Sequence, residues 1–105
     1  MIELKAFIHR NRIADVIHKL HEAGFQRLSV IDVKGILKSD DVSKQEYSIE
    51  IGEEVVTEAK LEVICGESRR DVAIRIIRDN ARTGKPQAGC IYVSEISDVY
   101  EIDEV

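Results

Sequence analysis

An α+β sandwich of order βαββαβ, with two helices on one face of an antiparallel sheet, is the fold class that the sequence predicts. Three observations predict it. Alternation of apolar and polar residues recurs along the chain, two amphipathic helical patterns fall between alternating stretches, and about twenty polar, acidic residues separate the two halves.

The elements follow in order. Ile2, Leu4, Ala6 and Ile8 alternate as a half-buried strand does. Asn11 reads as a helix N-cap. Ile13, Val16, Ile17 and Leu20 then recur at helical spacing, and Gly24 supplies the stop. Residues 25–33 read as a second strand that closes at Gly35. A long loop follows at about 36–55, with weak alternation around Tyr47, Ile49 and Ile51. Residues 55–65 alternate again and set Ala59, Leu61, Val63 and Cys65 on one face. Ser68 and Asp71 read as a capping box for a second helix, which carries Val72, Ala73, Ile76 and Ile77 and ends at Thr83-Gly84. Residues 91–93 form a fourth strand, and 99–102 a short fifth. This is the split βαβ, ferredoxin-like arrangement. Right-handed crossovers give strand order 4-1-3-2.

The 105 residues make one domain, because two pieces would each be too small for a core of their own. Hydrophobic content of 44% and charged content of 33% belong to a soluble globular protein. No apolar run approaches the roughly 20 residues that cross a bilayer, and no secretory signal opens the chain. The expected location is cytoplasmic, not membrane-embedded. A net charge of −5 argues against nucleic-acid binding. The C-terminal segment 98–105 is acidic: Asp98, Glu101, Asp103 and Glu104 have no Lys or Arg among them. Cys65 and Cys90 have no metal-site or disulfide spacing and read as small buried core residues.

Two helices cover one sheet face, yet neighbours such as Phe7 and Ile8, Val30 and Ile31, Val63 and Ile64, and Ile91, Tyr92 and Val93 give the strands apolar residues on both. An uncovered apolar face marks an interface, and a closed homo-oligomer answers it.

The most informative stretch is 82–90. A helical pattern stops, Gly84 and Gly89 bracket a tight loop that carries Lys85, and an aliphatic strand begins at once. Such a loop can turn several backbone N–H groups toward one phosphate. Two segments then resemble a known family. Ser29-Val30-Ile31-Asp32-Val33-Lys34-Gly35 resembles the T-V-x-E-V-K-G of PII signal-transduction proteins. Ala81-Arg82-Thr83-Gly84-Lys85 with Gly89-x-Ile91-x-Val93 resembles their T-G-x-x-G-D-G-K-I-x-V loop and strand. The resemblance covers nearly the whole chain and marks it as a divergent, PII-like member. It implies a homotrimer whose intersubunit clefts bind adenine nucleotides. It also implies a long loop, the T-loop, that grips a membrane transporter or metabolic enzyme. Such proteins are regulators with no catalytic residues.

Carried over residue by residue, Thr83, Gly84, Lys85 and Gly89 fall on the phosphate loop, with Arg82 before it and Cys90 after it. Ser29 stands where a threonine hydroxyl contacts adenine, and Ile64 on an aliphatic wall of the base pocket. Lys34, Gly35, Ile36, Leu37 and Lys38 fall at the T-loop base, near the phosphates. The departures are as informative. Gln87 and Ala88 replace Gly-Asp, Cys90 replaces a lysine, and Glu101 and Asp103 stand where the family has two phosphate-clamping arginines. Fewer cations and more anions disfavour ATP, unless Arg82, Arg10 or Arg12 compensates. AMP or ADP fits the reduced charge better. Ser39, Glu58 and Ile51 replace the residues of the 2-oxoglutarate response and of uridylylation, and Tyr47 does not align with the modified tyrosine. That pattern resembles the divergent members that attend transporters, with bicarbonate as a further effector.

Other readings stay open. His18 and His21 on the first helix read as a solvated face, and Arg75, Arg78 and Arg82 as a basic stripe on the second. A metal-sensing trimer of the divalent-cation-tolerance kind, drawing on His9, His18, His21 and Cys90, is the alternative class, although no metal ligands are assigned. A trimer that has lost its nucleotide is the third. No nucleophile has a matched base, so catalysis finds no support.

Overall fold

The computed structural model describes residues 1–37, 54–84 and 89–103. Strand β1 (Ile2–His9) leads through a single 3-10 turn, Arg10–Arg12, into helix α1 (Ile13–Glu22). Strands β2 (Arg27–Leu37) and β3 (Glu54–Cys65) follow, then a second 3-10 turn, Glu67–Arg69, helix α2 (Arg70–Ala81) and strand β4 (Gly89–Glu95). The sheet order is β2-β3-β1-β4 with all described pairs antiparallel, which is the expected 4-1-3-2 order read from the other edge.

Alternation sets the core. Ile2, Leu4, Ala6 and Ile8 of β1 face Cys65, Val63, Leu61 and Ala59 of β3, and every one of these eight is buried. Val16 and Leu20 of α1 and Ala73 and Ile77 of α2 close over them, with Phe25 at the margin. Both helices therefore lie on this one face.

Neither helix starts as the sequence suggests. The residue before α1 is Arg12, not Asn11, and it makes no side-chain cap; the Ile13 N–H instead donates to the Arg10 carbonyl. Likewise Arg69 precedes α2, the Ser68–Asp71 box does not form a cap, and the Arg69 N–H donates to Gly66 O at 3.0 Å. A 3-10 turn supplies backbone acceptors to the first N–H groups, so side-chain caps are not needed.

The end of α1 does follow the sequence. Gly24, at φ +92°, donates to His21 O at 3.0 Å, and Phe25 N–H reaches back to Leu20 O at 3.0 Å. That pair of bonds is the Schellman stop, which favours glycine at the left-handed position. Arg69 then fastens it. Its guanidinium donates to Ala23 O at 2.6 Å and lies 4.2 Å over the Phe25 ring.

The hairpin arm is longer than predicted. Pairing continues through Lys34↔Thr57, Gly35↔Val56, Ile36↔Val55 and Leu37↔Glu54, so residues 36, 37, 54 and 55 belong to strands rather than to the expected loop. Backbone hydrogen bonds extend a ladder past the point where side-chain alternation fades and through a glycine. The rest of the expected long loop, 38–53, lies outside the described residues. Strand β4 is also longer than 91–93. The fifth strand does not form: Ile96 N–H donates to Met1 O at 3.0 Å, after which 97–101 leave the sheet and 102–103 turn. Val99, Tyr100 and Ile102 stay exposed, because no strand lies beside them.

The uncovered face is less apolar than expected. Val63, Ile8, Ile91 and Val93 all belong to the helix side. Lys5 sits opposite Glu62 at the centre of the open face, and the ion pairs Glu3–Lys5 (3.5 Å) and Lys60–Glu62 (3.6 Å) flank it. Apolar groups lie toward the margins: Phe7 against Tyr92, edge to face at 6.0 Å, and exposed Ile31. Cys90 lies there too and is exposed, which corrects the buried reading; Cys65 is buried and free.

Arg69→Ala is expected to lower unfolding free energy by about 2 kcal/mol in urea titration, the sum of a charged hydrogen bond and a cation–π contact. Arg69→Lys is expected to recover only part of it.

Candidate functional site

The end of α2 and the start of β4 build the first half of the site. Arg82 leaves the helix with extended backbone (φ −62°, ψ 135°), which aims the chain across the sheet edge. Gly84 has φ +79° and Gly89 φ +132°. The two glycines differ in what forces them. A side chain at Gly84 would meet nothing within 4 Å, whereas a Cβ at Gly89 would lie 2.0 Å from the Phe7 carbonyl oxygen. Gly89 stands opposite Ile8 in the ladder, and only a residue without a side chain lets β4 approach β1 there.

Beside this junction a cavity of about 450 Å³ opens between α2 and β4. Ile74, Ile77, Ile91 and Val93 give it apolar walls, with Gly89 at one end and Arg78 and Arg82 among its lining. That size holds a small ligand. A smaller recess of about 240 Å³ runs along α2 past Arg75, Arg78 and Arg82, with Asp71 and Asp79 in its lining. Arg82 is only weakly engaged by Asp79 at 3.9 Å, both side chains being well exposed. Lys85 lies outside the described residues, as do Gln87 and Ala88.

The second half lies across the molecule. Arg27 faces Ile64 and Ser29 faces Glu62, so Ser29 and Ile64 are diagonal neighbours on the open face of β2 and β3. Ser29 is exposed and Ile64 half-buried. Lys34, Gly35, Ile36 and Leu37 continue along the paired arm, and Lys38 lies outside the described residues. Cys90 shares the open face with Ser29 and Ile64 but sits on β4, at the opposite edge. Ser29, on edge strand β2, stands three strand spacings from β4, about 14 Å, and Ile64, on inner strand β3, two spacings, about 10 Å. Cys90, at the start of β4, and the Ser29–Ile64 pair therefore do not meet within one chain.

Burial pushes the Cys65 thiol up from its ordinary value, against the pull of Arg69, which keeps it protonated and inert. A hydrogen bond with Cys90 pushes the pKa of the exposed Tyr92 hydroxyl up from its ordinary value. Of the three arginines expected to offset the missing cations, Arg10 is ion-paired with Asp32, Arg12 buries its Nε without a hydrogen bond among the described residues, and Arg82 has only the long contact to Asp79. His18 is exposed and paired with Glu22 at 3.1 Å. Among the described residues no three His, Cys, Asp or Glu side chains gather where a metal could bind.

Two contacts escape a reading of the sequence. Arg69 acts on Ala23 and Phe25, forty-six and forty-four positions away, and Arg27 pairs with Glu101, seventy-four away. The acidic tail thus finds a cation that no local pattern announces.

The nitrogen regulatory protein P-II family model matches residues 1–104. The P-II protein of Mesorhizobium japonicum is 30% identical over 97% of this chain and 91% of its own length. That of Rhodobacter capsulatus is 32% identical over the same shares. P-II protein 1 of Methanothermobacter thermautotrophicus is 26% identical over 97% and 89%.

Gly89→Ala is expected to cost about 3 kcal/mol, from the collision with Phe7 and the backbone strain together. Gly84→Ala, strained but unobstructed, is expected to cost about 1 kcal/mol. Thermal unfolding of the two variants checks the contrast.

Proposed function

This chain belongs to the nitrogen regulatory P-II family, whose members are signalling regulators and not enzymes, and from that premise we propose a cytoplasmic homotrimer that senses an adenine nucleotide in its intersubunit clefts. Family members bind adenine nucleotide effectors in general. One observation carries the reading here. The residues assigned to the ligand fall into two half-sites, with Ser29 on edge strand β2 beside Ile64 on inner strand β3, and Gly89 and Cys90 on the opposite edge strand β4. A neighbouring copy brings such halves together, so that one subunit offers the base pocket and the next the phosphate loop.

Charge selects the nucleotide. Cys90, Glu101 and Asp103 remove cations and add anions relative to the family pattern, and Arg10 is held by Asp32. AMP or ADP is therefore preferred over ATP, whose additional phosphate meets more repulsion. Occupancy of the cleft shifts the population of T-loop arrangements by differential affinity, and the T-loop in turn grips a transporter or metabolic enzyme. Glu58, on the open face of β3, replaces the lysine that a 2-oxoglutarate response uses, which favours carbon-linked effectors such as bicarbonate over nitrogen sensing. Among the described residues no helix is long and apolar enough to cross a membrane. The metal-sensing alternative finds no gathered ligands among the described residues to support it.

Sedimentation is expected to give about 36 kDa, three times the 11.9 kDa chain; a stable lone protomer at micromolar concentration overturns the shared cleft. Titration calorimetry is expected to show AMP and ADP binding more tightly than ATP, and absence of heat up to millimolar from all three removes the nucleotide.

A further inference from the structure

The ion pair between Arg27 and Glu101 ties the tail to the far edge of the sheet. Beyond the Ile96–Met1 backbone bond, Glu101 is the one residue of 97–103 with a polar contact among the described residues. Its reach is easily met. The six residues from Ile96 to Glu101 extend to about 20 Å, against about 14 Å for the three strand spacings between β4 and β2. Slack therefore remains, and Glu101 can leave Arg27 while Ile96 stays in place. Little else restrains the segment, since Tyr100 is 82% and Ile102 fully exposed.

Arg27 occupies a telling position. It lies on the open face opposite Ile64 and two residues from Ser29, beside the half-site assigned to the base. Both members of the pair remain half-exposed, at 51% and 60%. An exposed pair contributes little and is easily exchanged. A phosphate monoester offers the guanidinium fork three acceptor oxygens and up to two charges, a better partner than one carboxylate.

We propose that Arg27 is a ligand-binding cation of this half-site, that Glu101 occupies it in the ligand-free chain, and that the phosphate of a bound nucleoside monophosphate displaces Glu101 and frees the tail. Arg27 then supplies a charge that the phosphate loop lost at Cys90, and the tail becomes an internal reporter of occupancy. The inference rests on the nucleotide reading above.

AMP and adenosine, titrated into the wild-type trimer, Arg27→Gln and Glu101→Gln, test it, with backbone 15N–{1H} NOEs read at residues 97–103. Glu101→Gln is expected to gain roughly two- to fivefold for AMP by removing the competing carboxylate, and Arg27→Gln to lose about tenfold. Adenosine, which carries no phosphate, is expected to bind all three forms alike. The NOEs are expected to fall when AMP is added to the wild type, as they do in ligand-free Glu101→Gln. Equal AMP affinity in all three forms overturns the role of Arg27 and leaves the nucleotide reading intact. Binding of neither ligand to any form removes that reading and this proposal with it.

Discussion

Strand β1 is hydrogen-bonded on both sides, and its register against β3 and β4 governs the rest of the molecule. Ile2, Leu4, Ala6 and Ile8 are all at 2% exposure or less. A slip by one residue would turn them to water and bring Glu3 and Lys5 inside. The three larger side chains alone are worth on the order of 6 kcal/mol of burial, comparable with the whole stability of a small domain. The same register delivers the Phe7 carbonyl to Gly89 and so fixes where β4 begins. Core and site share one constraint.

That constraint was legible. Period-two alternation in β1 and β3 is written in side chains, so fold class, strand order and most of the core follow from the sequence. What backbone alone decides was not legible. The 3-10 turns before both helices leave no residue signature, and Asn11 and Ser68 point to caps that do not form. The continued ladder from Lys34 to Leu37 is held by peptide groups, which carry no pattern. The fifth strand failed because apolar residues at 99 and 102 suit a strand only when another strand lies beside them.

The site was legible in pieces. Two glycines around a lysine announced the bend, and the ladder explains Gly89 in a way that spacing could not. Family resemblance named Ser29 and Ile64, but only the sheet order reveals that they lie across the molecule from Cys90. Arg69 and Arg27 act over forty-six and seventy-four positions, beyond any periodic signal. The open face misled for a different reason. Adjacent apolar letters such as Val63 and Ile64 fall on opposite sides of a pleat, so counting them overstates what either side exposes.

Because peptide carbonyls launch both helices, the side chains at 11, 12, 68 and 69 are released from capping duty. Asn11 and Ser68 can drift without fraying a helix. Arg69, so released, serves as a cross-brace from the front of one helix to the back of the other. Tolerance to change at these junctions is thus uneven: Asn11 and Ser68 are open to replacement, Arg12 keeps its Nε buried, and Arg69 ties the two halves of the chain together.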